Sequence, residues 1–340
     1  MSIELPVLRL GLAGFTAEQQ QHLGRVLADA PSGGMSWQVA RFDEADAWWV
    51  CGSRTQLLAD QTLRVASGVP SGRSIHLSPP DIDRPLAFSM PLAARQFEPR
   101  YHFDTASLDS MHAVLAKFEA WLRPMTAQFC LASQVIEQES VLVSGIYHVT
   151  SSGVLVAVVN LQGEVGVLPT AEPADFENAM WSRRPSNDRD IPENFVRTSL
   201  SQLMWHFAVR TSRDVLPKRY YNGLIFFRRP PRLPQRLLRD THLLLMRELA
   251  NTPATFQELQ TRTGMAQASL AEVLGALYLV GAITGNPKRA GLTFMRPEAP
   301  DAANHEHSAP SGMDADADSS GRRKGPQFSD RTVPAPMSLE

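Results

Sequence analysis

Residues 8–30 read LRLGLAGFTAEQQQHLGRVLADA, and this stretch decides the fold of the N-terminal part of the chain. Leu8–Phe15 is an apolar run of strand length, and Thr16 follows it as a residue type that caps helices. From Ala17 to Ala30 the apolar residues recur at helical spacing. The stretch therefore predicts a buried strand that leads directly into an amphipathic helix.

The same alternation of strand and helix continues to residue 122. Further strands are predicted at Trp37–Phe42, Ala47–Cys51, Ser74–Leu77 and Leu86–Met90. Helices are predicted at Thr55–Ala66 and Ser107–Leu122. Short buried strands separated by helices are typical of a doubly wound parallel sheet, and five strands suit a flavodoxin-like order.

The residues at the ends of these strands limit the chemistry that the sheet can support. The first strand runs into Gly14-Phe15-Thr16, and the third ends at Cys51. The fourth ends at Ser78, and the fifth ends at Met90-Pro91. In element order and length, residues 1–122 resemble the receiver domain of bacterial two-component response regulators.

That resemblance implies a Mg²⁺-binding acid pair, a phosphoacceptor Asp, a Ser or Thr, and a Lys-Pro dipeptide at successive strand ends. Only the Ser78 hydroxyl and Pro91 match this pattern. A pocket of Thr16, Cys51 and Met90 is neutral and cannot hold a metal ion or an acyl phosphate. The resemblance then implies a receiver-like α/β domain that has lost phosphorylation and acts by binding.

Residues 123–238 predict a central α+β region. Pro124 is expected to end one helix and to start another that runs to Gln138. Strands, a polar loop and a helix follow in the order Val141–Thr150, Gly153–Val159, Gly163–Leu168, Trp181–Asn194 (loop), Phe195–Val209 (helix) and Tyr220–Phe227 (strand).

Residues 239–296 resemble a winged helix in element order. A helix at Thr241–Leu249 precedes a capping box that starts at Thr255, and a third helix runs from Gln267 to Val280. The wing is expected from Gly281 onward, with a return strand at Leu292–Met295.

DNA binding by this unit is one alternative. The third helix offers Gln267 for base contacts but has no Arg or Lys, and the wing offers Lys288 and Arg289 for phosphates. Two cations give weak binding, and the apolar helix is better suited to packing against protein.

The segment from residue 210 to residue 239 carries nine Arg or Lys residues against one acid, Asp214. Arginine forks bind phosphates and carboxylates well. The candidate ligand- or partner-binding residues are Arg228, Arg229, Arg232 and Arg236, with Arg183 and Arg184 from the preceding loop. Three interpretations stay open: a solvated linker, a contact surface for an acidic signalling partner, or a site for phosphate groups of a cyclic dinucleotide or nucleic acid.

The composition sets the remaining limits. The chain has 340 residues, a net charge of −2 and two cysteines, Cys51 and Cys130, which have no metal-type spacing. No cofactor, metal site or membrane span is predicted, a cytoplasmic location is the default, and residues 297–340 have the composition of a disordered tail.

No catalytic motif is present in the sequence, so the protein is not expected to be an enzyme. The predicted function is a non-catalytic signalling or regulatory adaptor, and the alternative is a winged-helix DNA-binding transcriptional regulator.

Overall fold

The first strand and first helix form where the opening stretch predicts them. In the computed structural model these are β1 (Val7–Ala13) and α1 (Ala17–Ala28). The hydroxyl of Thr16 accepts a hydrogen bond from the Gln19 N–H, and the Gln19 side chain accepts one from the Thr16 N–H. This reciprocal cap satisfies two donors at the start of α1.

The structure describes residues 3–29, 35–70, 72–185 and 190–291. The predicted disordered tail and the predicted return strand Leu292–Met295 lie outside the described residues.

Five parallel strands form the N-terminal sheet. The strands that follow β1 are β2 (Ser36–Ala40), β3 (Ala47–Val50), β4 (Thr55–Leu57), β5 (Leu63–Val65), β6 (Ile75–Leu77), β7 (Leu86–Ser89) and β8 (His102–Phe103). The parallel sheet has the order β2-β1-β3-β7-β8, and its four pairings are all parallel. Counted within this sheet, the order is second, first, third, fourth, fifth, which is compatible with the predicted flavodoxin-like arrangement.

The segment between β3 and β7 differs from the prediction. Strands β4, β5 and β6 form a separate antiparallel sheet, so the predicted helix Thr55–Ala66 is wrong. The predicted place of Ser74–Leu77 in the parallel sheet is also wrong. Leu63 and Val65 are buried while Arg64 between them is exposed, which is the period of a strand and not of a helix.

The two faces of the parallel sheet are covered differently. Helix α1 and the next helix cover the face that carries Leu8 and Leu10. On the other face, Ala13 and Val50 pack against β5 and β6 of the small sheet. One layer of helices in the predicted fold is thus replaced by three short strands.

Helix α2 (Leu108–Glu137) joins the N-terminal and central parts of the chain. The predicted break at Pro124 is wrong, because the helix continues through this residue. Met111 and Phe118, before the proline, are buried against the parallel sheet, whereas Phe129 and Leu131, after it, are buried in the central core. Packing at both ends holds the helix together across the missing N–H of the proline.

The central part is an antiparallel sheet with helices. Its elements are β9 (Ile146–Ser151), β10 (Val154–Asn160), β11 (Glu164–Val167), α3 (Pro173–Glu177), β12 (Met180–Arg184), β13 (Val196–Ser199) and α4 (Leu200–Ala208). The strand order is β12-β9-β10-β11-β13. The strands predicted at Gly153–Val159 and Gly163–Leu168 are confirmed as β10 and β11, whereas the strand predicted at Val141–Thr150 begins only at Ile146. Strand β12 occupies the start of the predicted loop Trp181–Asn194. The predicted helix Phe195–Val209 begins only at Leu200, because Ser199 caps it.

The last described part combines four helices with a small sheet. Its elements are α5 (Arg219–Asn222), β14 (Leu224–Phe227), α6 (Asp240–Asn251), β15 (Ala254–Thr255), α7 (Phe256–Thr263), α8 (Gln267–Leu279) and β16 (Ile283–Thr284). The predicted capping box at Thr255 is confirmed, with Glu258 as its partner. The small sheet has the order β15-β14-β16, so its central strand comes from the segment before α6. The predicted strand Tyr220–Phe227 is shorter than expected, since α5 takes up its first residues.

Candidate functional site

The carboxyl edge of the parallel sheet, where doubly wound folds bind their ligands, is filled by backbone. A Cβ atom on Gly52 would lie 2.0 Å from the carbonyl oxygen of Ser89, and a Cβ atom on Gly68 would lie 1.9 Å from that of Phe15. The Gly52 N–H donates a hydrogen bond of 3.1 Å to the Ser89 hydroxyl. The strand ends and the connection after β5 therefore lie directly against one another.

The structure also changes the assignment of strand ends. Ser78 follows β6 in the small sheet, so it does not end the fourth parallel strand; Ser89 does. Met90-Pro91 follows that same fourth strand, and the fifth strand ends at Phe103. Both differences have one cause: Ile75–Leu77 belongs to the small antiparallel sheet and not to the parallel sheet.

The other predicted residues at this edge have structural partners or are exposed. Thr16 caps α1, and the buried Cys51 has its Sγ 3.3 Å from the Ser53 Oγ. Met90 is 46% exposed.

An arginine-rich junction lies near the amino end of β1, where the three parts of the fold meet. Arg9 comes from β1, Arg210 from the segment after α4, and Arg239 from the N-cap of α6. All three line one cleft of about 640 Å³, which extends along the exposed end of α8. We call this the junction cleft.

Two ion pairs bind the later parts of the chain to the N-terminal sheet. The Arg210 Nη2 lies 2.6 Å from the Asp46 Oδ1, and these side chains are only 14% and 7% exposed. Asp46 also accepts a hydrogen bond from the Arg9 backbone N–H through its Oδ2. The Arg239 Nη1 lies 3.1 Å from the Glu44 Oε2. The junction therefore combines a buried ion pair, Arg210–Asp46, with a partly exposed one, Arg239–Glu44.

Arg9 differs from its two neighbours. Among the described residues, its guanidinium makes no hydrogen bond and no ion pair. Burial lowers the pKa of Arg9, and the nearby charges of Arg239 and Arg210 lower it further, against the smaller opposite effects of Asp46 and Glu44. A charged arginine beside two other arginines is electrostatically unfavourable without an anion.

Two histidines at the junction are held neutral. Burial and, after it, the charge of Arg210 lower the pKa of His206 to about 4. Burial and then the charges of Arg239 and Arg9 lower the pKa of His242 to about 4. The His242 Nδ1 accepts a hydrogen bond of 3.2 Å from the Arg239 N–H, which requires that nitrogen to be unprotonated.

A second cleft of about 620 Å³ lies on the other side of Arg210 and Arg239. Its lining contains five arginines and five acidic residues, so its charges balance. The lining also includes Trp121, which is 44% exposed on α2. The junction cleft is the more cationic of the two, with four arginines against Asp214 and Glu272.

The predicted arginines lie on different parts of the fold. Arg183 and Arg184 are on β12, an edge strand of the central sheet. Arg228 and Arg229 follow β14 and lie beside Gly281. Arg232 is exposed, and Arg236 lines the second cleft.

Sequence reasoning missed Arg9 as a functional candidate. Its signal was a charged residue inside an otherwise apolar strand, and the arginines with which it shares the cleft, Arg210 and Arg239, lie more than 200 residues further along the chain.

Helix α8 is buried on two sides. Leu270, Leu274 and Leu277 pack in a core with residues of α6 and α7. Gly275 lies roughly 140° around the helix from Leu270. A Cβ atom there would lie 2.9 Å from the Val215 Cγ2, and α8 packs along α4.

The predicted DNA contacts lie at the ends of this unit. Gln267 is exposed and lines the junction cleft at the start of α8. Lys288 and Arg289 are exposed in a short turn after β16.

No protein-family model matches this chain, and neither does any curated protein or solved structure. Within the described residues, no group of three or more His, Cys, Asp or Glu side chains is placed to hold a metal ion. In the same part of the chain, no helix is both long and apolar enough to cross a membrane.

Proposed function

We propose that this protein is a non-catalytic regulatory adaptor that acts by binding other molecules. The observation that carries the proposal is the burial of the second half of α8 on two sides. An apolar helix face is stable in water only when it is covered, and here α4 and Val215 provide the second cover. In winged-helix proteins, which residues 239–296 resemble, the third helix reads DNA. In this protein the third helix, α8, joins two parts of one chain.

The packed carboxyl edge of the parallel sheet supports the same proposal. A phosphorylation site needs an open pocket that holds Mg²⁺ and a phosphoryl group. Backbone atoms of Gly52 and Gly68 occupy this region instead. The receiver-like part therefore contributes surface for contacts. The arginines at 228, 229 and 232, of which Arg229 and Arg232 are exposed and Arg228 is half-buried, provide positive charge for an acidic signalling partner.

The alternative is a DNA-binding transcriptional regulator, and the exposure of Gln267, Lys288 and Arg289 favours it. Reading a major groove requires a free helix face. The second half of α8 is covered by Val215 and α4, so only its exposed first turns, which carry Gln267 and Glu272 and no Arg or Lys, could face a groove in the present arrangement.

A mobility-shift titration separates the two functions. Full-length protein is titrated against mixed-sequence duplex DNA at about 50 and about 200 mM salt. The variant Gly275→Leu forces a side chain into Val215, and Gly24→Leu is its matched control, because a Cβ at Gly24 meets only Val39 at 3.8 Å. The adaptor proposal predicts no shift for any of the three proteins. Salt-sensitive binding, in the wild type or on Gly275→Leu alone, would contradict it.

A capture experiment tests the partner contact directly. Wild-type protein, a variant with Arg228, Arg229 and Arg232 all changed to Gln, and the control Arg95→Gln serve as baits in native lysate. We expect a partner retained by the wild type and the control and lost from the triple variant, with unchanged circular dichroism. Retention by the triple variant would remove these arginines from the proposed surface.

A further inference from the structure

We propose that the junction cleft is a binding site for a small ligand that carries phosphate groups, held by Arg9 together with Arg239 and His242. This inference goes beyond the adaptor function and does not depend on it. The site is also separate from Arg228, Arg229, Arg232 and Arg236, which do not line the junction cleft.

The charge balance of the junction is the first step. The carboxylates of Asp46 and Glu44 are already engaged by Arg210 and Arg239. A fourth arginine of the lining, Arg213, is engaged by glutamates outside the cleft. The positive charge of Arg9 is therefore left without a counter-charge in contact, in a half-buried position where screening by water is reduced.

Hydrogen-bond donors around Arg9 are the second step. Because the His242 Nδ1 accepts a hydrogen bond, the neutral ring carries its proton on Nε2 and can donate from there. Gln38 pairs with Arg9 across β1 and β2, and Gln267 begins α8; both side chains line the cleft. A guanidinium fork combined with neutral donors is the arrangement that suits phosphate oxygens.

The size and remaining walls of the cleft indicate the class of ligand. A volume of about 640 Å³ lies in the range of small-molecule sites and exceeds what a bare phosphate needs. Val7, Val209 and Val215 provide apolar wall next to the charged end. A phosphate ester or diphosphate with an organic group fits both features.

Glu272 makes the proposal testable in two directions. It lies on the α8 wall of the cleft, it is exposed, and among the described residues its side chain has no ion pair or hydrogen bond. Its negative charge opposes an anion in the cleft. Removing that charge should therefore strengthen binding, which a purely structural role of the cleft does not predict.

The experiment uses sodium pyrophosphate as the probe and isothermal titration calorimetry of the full-length protein at low salt. The wild type should bind pyrophosphate saturably. Arg9→Gln should weaken binding by about tenfold or more, since it removes a charged donor. Glu272→Gln should bind several-fold more tightly, and Arg95→Gln, at an exposed site away from the cleft, should match the wild type.

The proposal is overturned if the wild type shows no saturable heat of binding up to millimolar pyrophosphate. Unchanged affinity in a folded Arg9→Gln variant would do so as well. If Arg9→Gln fails to fold, the comparison rests on Glu272→Gln, and equal or weaker binding by that variant would count against the site. Failure of the partner capture would leave these outcomes unaffected, so the two proposals are separable.

Discussion

The buried ring of His242 should make the stability of the fold depend on pH. This ring is 2% exposed, packs 4.6 Å from the Trp205 ring, and has its pKa lowered from 6.5 to about 4. In the unfolded chain the same group takes up a proton near its ordinary pKa. Between these two values the unfolded state binds more protons than the folded state, so acid favours unfolding.

The expected size follows from the two pKa values. The contribution is fully present above pH 6.5 and is lost as the pH falls toward about 4. At pH 5 the loss from His242 alone amounts to about 2 kcal/mol relative to neutral pH. Protonation would also remove the acceptor that Nδ1 offers to the Arg239 N–H.

The assay is urea unfolding of the wild type and of His242→Gln at about pH 7.5 and about pH 5. Glutamine can still accept from the Arg239 N–H but does not titrate. The pH-dependent change in the free energy of unfolding should be smaller in His242→Gln by about 2 kcal/mol. The control His22→Gln, at an exposed position on α1, should keep the wild-type pH dependence. A full wild-type pH dependence in His242→Gln would refute the reasoning.

Two further stability predictions follow from the contacts at the junction and at the sheet edge, both measured by urea unfolding at neutral pH. Asp46→Asn should lower the free energy of unfolding by about 3 kcal/mol or more, because it leaves a buried arginine charge unpaired. Asp43→Asn, in an exposed pair, should change it by less than about 1 kcal/mol, and equal effects would contradict the burial argument. Gly52→Ala should cost about 4 kcal/mol or more, because the Ser89 carbonyl oxygen occupies the place of its Cβ. Gly24→Ala should be neutral or stabilising by up to about 1 kcal/mol, and a folded, stable Gly52→Ala protein would show that the edge is not closed.

Elements with local signals were predicted well from the sequence. The helix starts at Thr16 and Thr255 depend on a hydroxyl and a side chain three residues apart, and both caps are present in the structure. The parallel sheet was also expected, and its order is compatible with a flavodoxin-like arrangement, although the helix and the strand predicted between β3 and β7 are wrong. The two helix caps are encoded within one turn of chain, where spacing and residue type are enough.

Elements that depend on distant contacts were predicted poorly. The Thr55–Ala66 segment contains apolar residues that fit a helix, and only its packing against the far face of the parallel sheet selects strands. Pro124 favours a helix end locally, but cores on both sides of it keep α2 continuous. Tertiary packing outweighs local preference at both places.

By itself, the sequence determined the residue types from which a site could be built. These are the arginine-rich segment from residue 210 to residue 239, the neutral residues at the strand ends, and the apolar helix that begins at Gln267. Only the tertiary structure decided which of them meet. Arg9, Arg210 and Arg239 share one cleft because the amino end of β1, the end of α4 and the start of α6 are packed together. No spacing along the chain encodes that contact, since it arises from burial of three separate apolar surfaces against one another.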